Sequence, residues 1–108
     1  MADVTRRRVG ELQRGVFKIL LDNPEGLAAK EIISRMEQVV PPTEFERSDY
    51  PKHPGTQRFG KMIRFATIGP VKAGWLIKEK GRWFLTEEGK KAYSKYEDPE
   101  ISVPLAAE

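Results

Sequence analysis

Cationic side chains recur every third residue between positions 58 and 64, at Arg58, Lys61 and Arg64. Arginine and lysine groups on the open side of a helix can pair with phosphates, and arginine can also pair in a bidentate way with guanine. The spacing therefore indicates a helix that could bind a polyanion, and a solvated helix face is the alternative. The apolar residues between the cations, which would form the buried side of the same helix, are Phe59, Met62, Ile63 and Ala66.

The charge of the chain is unevenly distributed, although its net value is only +3. Residues 56–82 hold seven cationic side chains against one carboxylate, that of Glu79, which leaves a balance of +6. The stretch from Glu97 to the end holds four carboxylates and no cation, a balance of −4. A basic middle segment beside an acidic end favours a polyanion-binding surface.

The composition excludes several classes of function. A chain of 108 residues, 39% hydrophobic and 32% charged, is typical of one globular domain. No run approaches the roughly 20 apolar residues that cross a bilayer, so we expect no membrane partner, and the start lacks a signal peptide's apolar region. Cysteine is absent, which excludes disulfides and thiolate metal sites. The predicted location is cytoplasmic.

No set of residues predicts catalysis. The single histidine, His53, cannot form a multi-histidine metal site, and it belongs to no visible Ser/His/Asp arrangement. The triplet Glu88-Gly89-Lys90 matches half of a nuclease metal motif, but chance produces such a triplet in a chain this rich in Glu and Lys. We therefore expect a chain that is not an enzyme, with no catalytic residue, no metal site and no cofactor.

Hydrophobic periodicity predicts helices separated by proline and glycine signals. Residues 41–55 hold four prolines and little apolar periodicity, which predicts a long ordered loop. The predicted helices are 5–22, 28–40, 56–73 and a last one that follows Thr86 and ends at Asp98-Pro99.

A change of period after residue 74 predicts a hairpin with strands Leu76–Lys78 and Trp83–Leu85. The turn is centred on Lys80-Gly81, where glycine supplies the positive φ that a tight hairpin needs. The predicted cross-strand pairs are Leu76 with Leu85, Ile77 with Phe84 and Lys78 with Trp83.

The third predicted helix contains a stop signal at Gly69-Pro70. Pro70 lacks an amide hydrogen and crowds the carbonyl of Ala66, so we expect a kink or an early stop there. Phe84, on the opposite face of the hairpin from Trp83, is harder to bury. The aromatic residues predicted to lie in the core are Phe59, Phe65, Trp75 and Trp83.

The predicted fold class is mainly α with a small β-hairpin. Three helices followed by a hairpin form the winged helix-turn-helix plan, here a three-helix core plus a wing and a C-terminal helix. In that plan the helix before the hairpin enters the major groove, and the wing touches the neighbouring backbone. We predict a winged-helix DNA-binding domain over residues 1–97 and an acidic C-terminal tail or linker over 98–108.

The same stretch resembles a known family. Its matching elements are Arg58-Phe59, Ile63-Arg64-Phe65-Ala66, Lys72-Ala73-Gly74-Trp75-Leu76 and Trp83-Phe84-Leu85-Thr86-Glu87-Glu88-Gly89. This series resembles the Mrr N-terminal winged-helix family, whose domains commonly precede a nuclease domain in restriction enzymes of the Mrr type. The resemblance covers residues 8–96 in layout, and its specific part is 58–89. It departs from the family at Gly69-Pro70, where the family has good helix formers, and the chain ends without a nuclease domain.

The resemblance implies binding of double-stranded DNA, and restriction enzymes that resemble this family often act on modified DNA. The expected partners are therefore duplex DNA, methylated or otherwise modified, and a nuclease domain or subunit. An exposed Phe84 or Tyr50 could contact a methyl group or a displaced base. Two alternatives stay open. One is a transcriptional regulator, which would need a dimer, and the other is a winged helix that binds protein through an apolar patch in place of the cations.

The DNA hypothesis assigns roles to the cations. Gln57 and Arg58, near the start of the third helix, would contact base edges, and Lys61 and Arg64 would contact phosphates. Lys80 and Arg82 at the wing tip would contact phosphates or the minor groove. The basic start of the first helix has the wrong sign for a helix N-terminus, so it would be an arm or a partner contact. The full predicted set is Thr56, Gln57, Arg58, Lys61, Arg64, Lys80, Arg82, Arg6, Arg7 and Arg8.

Overall fold

The computed structural model describes residues 5–95, except for the side chain of Thr56. The predicted tail or linker, 98–108, and the predicted helix end at Asp98-Pro99 lie outside the described residues. The described chain is mainly helical with a small antiparallel sheet. Its helices are α1 (Arg6–Leu21), α2 (Ala29–Val39), α3 (Glu44–Arg47), α4 (Arg58–Ala66), α5 (Ile68–Lys72) and α6 (Glu87–Lys95). Its strands are β1 (Leu27–Ala28), β2 (Asp49–Tyr50), β3 (His53–Gln57), β4 (Leu76–Glu79) and β5 (Arg82–Leu85).

One apolar core joins α1, α2, α4 and the β4–β5 hairpin. Each helix contributes the side that its 3.6-residue period predicts, so the buried row of α4 is the predicted one. The hairpin adds Leu76 and Trp83, and Trp83 is only 2% exposed. The other principal core residues are Val9, Leu12, Val16, Leu20, Ile32, Met36, Phe59 and Ile63.

The β4–β5 hairpin has the predicted register. Leu76 pairs with Leu85, Ile77 with Phe84, and Lys78 with Trp83. Its two-residue turn places Lys80 at φ 53 and Gly81 at φ 78, which is the left-handed geometry of a type I′ turn.

A third strand, β1, completes this sheet in the order β1-β5-β4. Leu27 pairs with Trp83 and Ala28 with Arg82, both antiparallel. The sequence analysis missed β1 because two residues show no alternation, and only the partner strand makes them extended.

The prediction of a long ordered loop over residues 41–55 is wrong, because this segment holds a short helix and most of a hairpin. Thr43 starts α3 with a capping box, in which its hydroxyl accepts from the Glu46 amide and the Glu46 carboxylate accepts from the Thr43 amide. Strands β2 and β3 then form a hairpin closed by Pro51 and Lys52, with a bulge between Asp49 and Tyr50. These elements, with the sequences EFER, DY and HPGTQ, hold too few apolar residues for a hydrophobic period to reveal them.

The predicted third helix is shorter than expected at both ends. Thr56 and Gln57 belong to β3, so the helix begins at Arg58 rather than at residue 56. It ends at Ala66, and a separate short helix, α5, follows Thr67. The predicted interruption is therefore confirmed, but it falls before Gly69-Pro70 rather than at it.

The position of this break follows from the chemistry of proline. An uninterrupted helix would require the amide of residue 70 to donate to the Ala66 carbonyl, and Pro70 has no amide hydrogen. The buried side chain of Gln13 on α1 donates to that carbonyl instead, at 3.0 Å. The Thr67 hydroxyl donates to the Arg64 carbonyl at 2.6 Å, which satisfies a second carbonyl at the end of α4.

The core prediction for Phe65 is wrong, since this side chain is 44% exposed. The buried side of α4 is already filled by Met62, Ile63 and Ala66, and Phe65 lies four residues after Lys61 on the outward side. Phe59 and Trp83 are buried as predicted, and Trp75 is half-buried.

Candidate nucleic-acid interface

The outward side of α4 carries Lys61 and Arg64, both exposed. Their positions follow from the amphipathic period, because the core occupies the opposite side of the helix. No ion pair joins either side chain to a carboxylate anywhere in residues 5–95. Two unneutralised cations one turn apart on a rigid helix can accept an anionic ligand.

Lys78 joins this row from the neighbouring hairpin. Its Nζ lies 4.4 Å from the centroid of the Trp83 ring, and the Arg64 guanidinium carbon lies 5.9 Å from the same centroid. Partial burial lowers the pKa of Lys78, and the nearby positive charge of Arg64 lowers it further. The structure thus holds two cations around one indole ring at the junction of α4 and β4.

Tyr50 occupies the corresponding position at the other end of the row. Its ring centroid lies 5.1 Å from the Arg58 guanidinium carbon and 5.3 Å from the Lys61 Nζ. Tyr50 comes from β2, so the β2–β3 hairpin adjoins the first turn of α4, whereas the β4–β5 hairpin adjoins its second. We call the cations Arg58, Lys61, Arg64 and Lys78, with the rings of Tyr50 and Trp83, the α4 cation row.

Arg58 is half-buried and has partners within the chain. Its Nη1 donates to the Ser48 hydroxyl and to the Asp49 carbonyl, both at 2.8 Å, and its guanidinium also lies 4.6 Å from the Phe45 ring centroid. The predicted base-reading arginine thus connects α4 to the preceding segment. To reach a base it would have to release these hydrogen bonds.

The predicted wing-tip pair is divided by the structure. Lys80 is exposed at the turn. Arg82 instead crosses to the segment before β1, where its Nη2 donates to the Gly26 carbonyl at 3.1 Å and its Nε to the Glu25 carbonyl at 3.4 Å. The Arg82 guanidinium therefore connects β5 to the segment before β1, while Lys80 remains available to a ligand.

The basic stretch Arg6–Arg8 forms the first turn of α1 rather than an unhelical arm. The Thr5 hydroxyl caps it by accepting from the Arg8 amide at 3.0 Å. Arg6 and Arg7 are exposed, and the Arg7 Nε lies 3.6 Å from a Glu11 carboxylate oxygen. Carboxylates from other positions thus compensate for the unfavourable charge at this helix end.

Arg8 connects α1 to α3. It donates from Nε and Nη2 to the two Glu46 carboxylate oxygens, at 2.9 and 2.6 Å, and this raises the pKa of Arg8. Burial acts to raise the pKa of Glu46, but the hydrogen bonds from Arg8 and from the Thr43 amide outweigh it. The pKa of Glu46 therefore lies below its usual value. The predicted DNA contact at Arg8 is thus an internal ion pair here.

Two remaining predicted residues lie outside the helix. Gln57 is exposed at the end of β3, one residue before α4, and Thr56 precedes it in the same strand. Lys78 was not among the predicted site residues, although the predicted pairing of Lys78 with Trp83 already places both on the hairpin face that packs against the helices. Tyr50 was predicted only as a possible contact to a methyl group or a displaced base. No sequence signal placed its ring beside Arg58 and Lys61, since its strand was not recognised.

Two residues of the triplet considered for catalysis, Gly89 and Lys90, have roles in local packing and pairing. Gly89 is buried, and a Cβ at that position would lie 2.2 Å from the Trp75 carbonyl oxygen. Lys90 pairs with Glu87 at 3.0 Å, and the Thr86 hydroxyl caps α6 through the Gly89 amide. His53 is exposed. Within residues 5–95 no group of three or more His, Asp or Glu side chains could hold a metal ion.

None of the described helices combines the length and apolar character needed to cross a membrane. Comparison with models of protein families, with curated proteins and with solved structures found no match. The α4 cation row is therefore the feature from which a function can be argued.

Proposed function

We propose that the chain is a winged-helix module that binds double-stranded DNA, with α4 in the major groove and the β4–β5 hairpin as the wing on the backbone. The observation that carries the proposal is the cluster of Lys61, Arg64 and Lys78, to which no carboxylate is paired in the described part of the chain. The module itself is not an enzyme and requires no cofactor.

The electrostatics of the cluster favour this proposal. Arg64 and Lys78 meet at one indole ring, and the lowered pKa of Lys78 means that the folded chain disfavours its charged form. A phosphate between the two cations would offset both the repulsion and the lost hydration. A neutral or cationic partner would offer no such gain, so the cluster fits a polyanion best.

The geometry divides the proposed roles differently from the sequence prediction. Lys61, Arg64, Lys78 and Lys80 are the phosphate contacts, because all four are exposed and none of them donates a side-chain hydrogen bond to another described residue. Gln57 is the candidate for a base edge, since it is exposed and directly precedes α4. The resemblance to the Mrr family extends the proposal: the chain is the target-recognition part of a modification-dependent restriction system in the cytoplasm. It would act with a nuclease domain or subunit on methylated or otherwise modified duplexes.

The test is binding to short duplexes over a series of salt concentrations. Each lost phosphate contact lowers the slope of log affinity against log salt by about 0.9, so Lys61→Ala with Arg64→Ala should lower it by about 1.8. The matched control is Lys18→Ala with Lys91→Ala, which removes the same charge from exposed positions on α1 and α6. The control should leave the slope unchanged.

Two outcomes contradict the proposal. Binding that is absent or insensitive to salt would exclude a phosphate-binding surface. An equal loss of slope in the control pair would show that net charge, rather than the α4 cation row, drives binding. Comparison of methylated with unmodified duplexes then tests the link to a restriction system.

Protein association is a second candidate, and exposed apolar side chains favour it. Phe65, Ile68 and Val71 follow the cations along α4 and α5, and all three are about two-fifths exposed. Sedimentation of the chain over a range of concentrations tests this candidate. Self-association through this patch predicts a dimer, which a transcriptional regulator would also need. The variant Phe65→Ser should lose that dimer. A monomer at every concentration contradicts self-association.

A further inference from the structure

We propose that the β2–β3 hairpin is a second nucleic-acid contact, in which Lys52 at its turn binds a backbone phosphate on the flank of the duplex away from the β4–β5 hairpin. This inference rests on the proposed DNA binding and extends it, because it assigns the contact to a segment outside the winged-helix plan. The partner class is the phosphate backbone of a duplex.

The two hairpins adjoin different turns of α4. Tyr50 of β2 contacts Arg58 and Lys61, whereas Trp83 of β5 is approached by Arg64. Residues 58 and 64 are six positions apart, or about 9 Å along a helix axis. The hairpins therefore flank the α4 cation row from opposite ends, and a duplex that covers the row would meet both.

The hairpin is long enough to reach a neighbouring strand. Strand β3 runs from His53 to Gln57 and continues directly into α4. Five extended residues span about 16 Å at about 3.3 Å each, and the major groove is about 12 Å wide. With the start of α4 in that groove, the turn at Lys52 can reach the phosphates that border it.

Polar contacts hold the hairpin in place beside α4. Arg58 donates to the Ser48 hydroxyl and the Asp49 carbonyl, and the Arg58 amide donates to the Ser48 carbonyl at 3.0 Å. The Asp49 carboxylate accepts from the Gly55 amide at 2.9 Å, which closes the hairpin across its bulge. Pro51 and Pro54 further restrict the backbone on either side of the tip. The tip is thus positioned before any ligand arrives, and little ordering entropy remains to be lost on binding.

The tip of the β2–β3 hairpin lies outside the apolar core. Residues 51–55 are all exposed, and none of the described side chains of residues 41–57 belongs to the main apolar cluster. Lys52 makes no hydrogen bond or ion pair with another described residue, and the nearest acid in sequence, Asp49, is engaged by Gly55. A solvent-facing turn between two prolines, with one unpaired ammonium group, is suited to a charged external partner.

The experiment compares Lys52→Ala with Lys80→Ala on one short duplex, by the salt dependence of binding and by hydroxyl-radical footprinting. Lys52→Ala should lower the salt slope by about 0.9 and abolish protection at one flank only. Lys80→Ala should affect the opposite flank. Lys91→Ala, an exposed lysine on α6, is the control and should change neither measurement. Circular dichroism spectra of all variants verify that the fold is retained.

The outcomes separate this inference from the proposed function. If the unchanged chain shows salt-dependent binding that Lys61→Ala with Arg64→Ala weakens, but Lys52→Ala matches the unchanged chain in slope and footprint, the inference alone is overturned. If the unchanged chain shows no salt-dependent binding, both are overturned. Loss of protection at the same flank for Lys52→Ala and Lys80→Ala would also overturn the inference, because it requires opposite flanks.

Discussion

The two hairpins beside α4 are built on opposite principles. The β4–β5 hairpin is held by apolar burial, since Trp83 and Leu76 enter the main core. None of the described side chains of the β2–β3 hairpin belongs to that core, and polar contacts from Arg58 and Asp49 hold the hairpin instead. Both hairpins nevertheless present an aromatic ring to cations of the same helix.

This difference determines how each hairpin responds to substitution. Apolar burial couples the β4–β5 hairpin to the whole core, so its loss lowers the stability of the entire fold. Hydrogen bonds at the surface contribute less to net stability, so the β2–β3 hairpin can open locally while the core remains intact. Trp83→Ala and Arg58→Lys test this contrast directly. Glu46→Gln tests a polar contact next to the β2–β3 hairpin, and Lys78→Arg tests a cation of the β4–β5 hairpin.

Trp83→Ala should lower the free energy of unfolding by about 3–5 kcal/mol, because it removes a large, fully buried side chain from the core. Chemical denaturation measures the change. The control on the same hairpin is Ile77→Ala, whose side chain is 49% exposed, and it should change stability by about 0.5 kcal/mol or less. A comparable loss in both variants would contradict apolar anchoring by Trp83.

Glu46→Gln should lower the free energy of unfolding by about 1.5–3 kcal/mol at neutral pH, since it weakens the charged contact between α3 and Arg8. The lowered pKa of Glu46 sets the sign of the pH dependence. The stabilisation is present above the usual glutamate pKa and is lost as the pH falls through the lowered value of the folded chain. Denaturation between pH 2 and 7 should show this acid-side loss in the unchanged chain and a smaller loss in Glu46→Gln. Identical pH profiles would contradict the proposed contact.

Arg58→Lys keeps the charge but removes the planar guanidinium, which donates to Ser48 and Asp49. The same group lies over the rings of Phe45 and Tyr50. We expect about 1 kcal/mol less protection of the Gly55 amide, measured by hydrogen exchange, with the amides of β4 and β5 unaffected. Arg64→Lys is the matched control. Faster exchange across both hairpins would instead show that they open as one unit.

The smallest expected effect is that of Lys78→Arg on the pH dependence of the proposed DNA binding. The lowered pKa of Lys78 means that the unchanged chain loses this charge at a lower pH than an ordinary lysine, whose pKa is about 10.4. Affinity for a duplex should therefore begin to fall at a pH below the ordinary lysine pKa, and Lys78→Arg should remove this early part of the decline. Denaturation over the same range verifies that the fold persists. An unchanged decline in Lys78→Arg would remove Lys78 from the interface.

The sequence analysis was most accurate where the chain repeats a local pattern. The apolar row of α4 and the register of the β4–β5 hairpin were both predicted correctly, because each depends on a period of 3.6 or 2 residues. The interruption near Pro70 was predicted from the missing amide alone. The short elements α3, β1, β2 and β3 escaped because none of them shows the alternation of apolar and polar residues that predicted β4 and β5.

The prediction of individual site residues was less accurate for a related reason. A row of exposed cations can be read from spacing, but the partner of each cation depends on segments distant in the chain. Arg58 binds Ser48 and Asp49, Arg82 binds carbonyls 56 and 57 residues away, and Arg8 binds Glu46 across 38 residues. Three of the predicted contacts thus have internal partners that no local pattern reveals.

Local sequence was sufficient for the mainly helical class, for the amphipathic α4 and for the hairpin that follows it. Tertiary structure alone decided which of the described cations remain without internal partners and that a second hairpin adjoins the start of α4. The physical reason is that periodic burial is a property of neighbouring residues, whereas the pairing of a charge depends on which distant groups the fold brings within hydrogen-bonding distance.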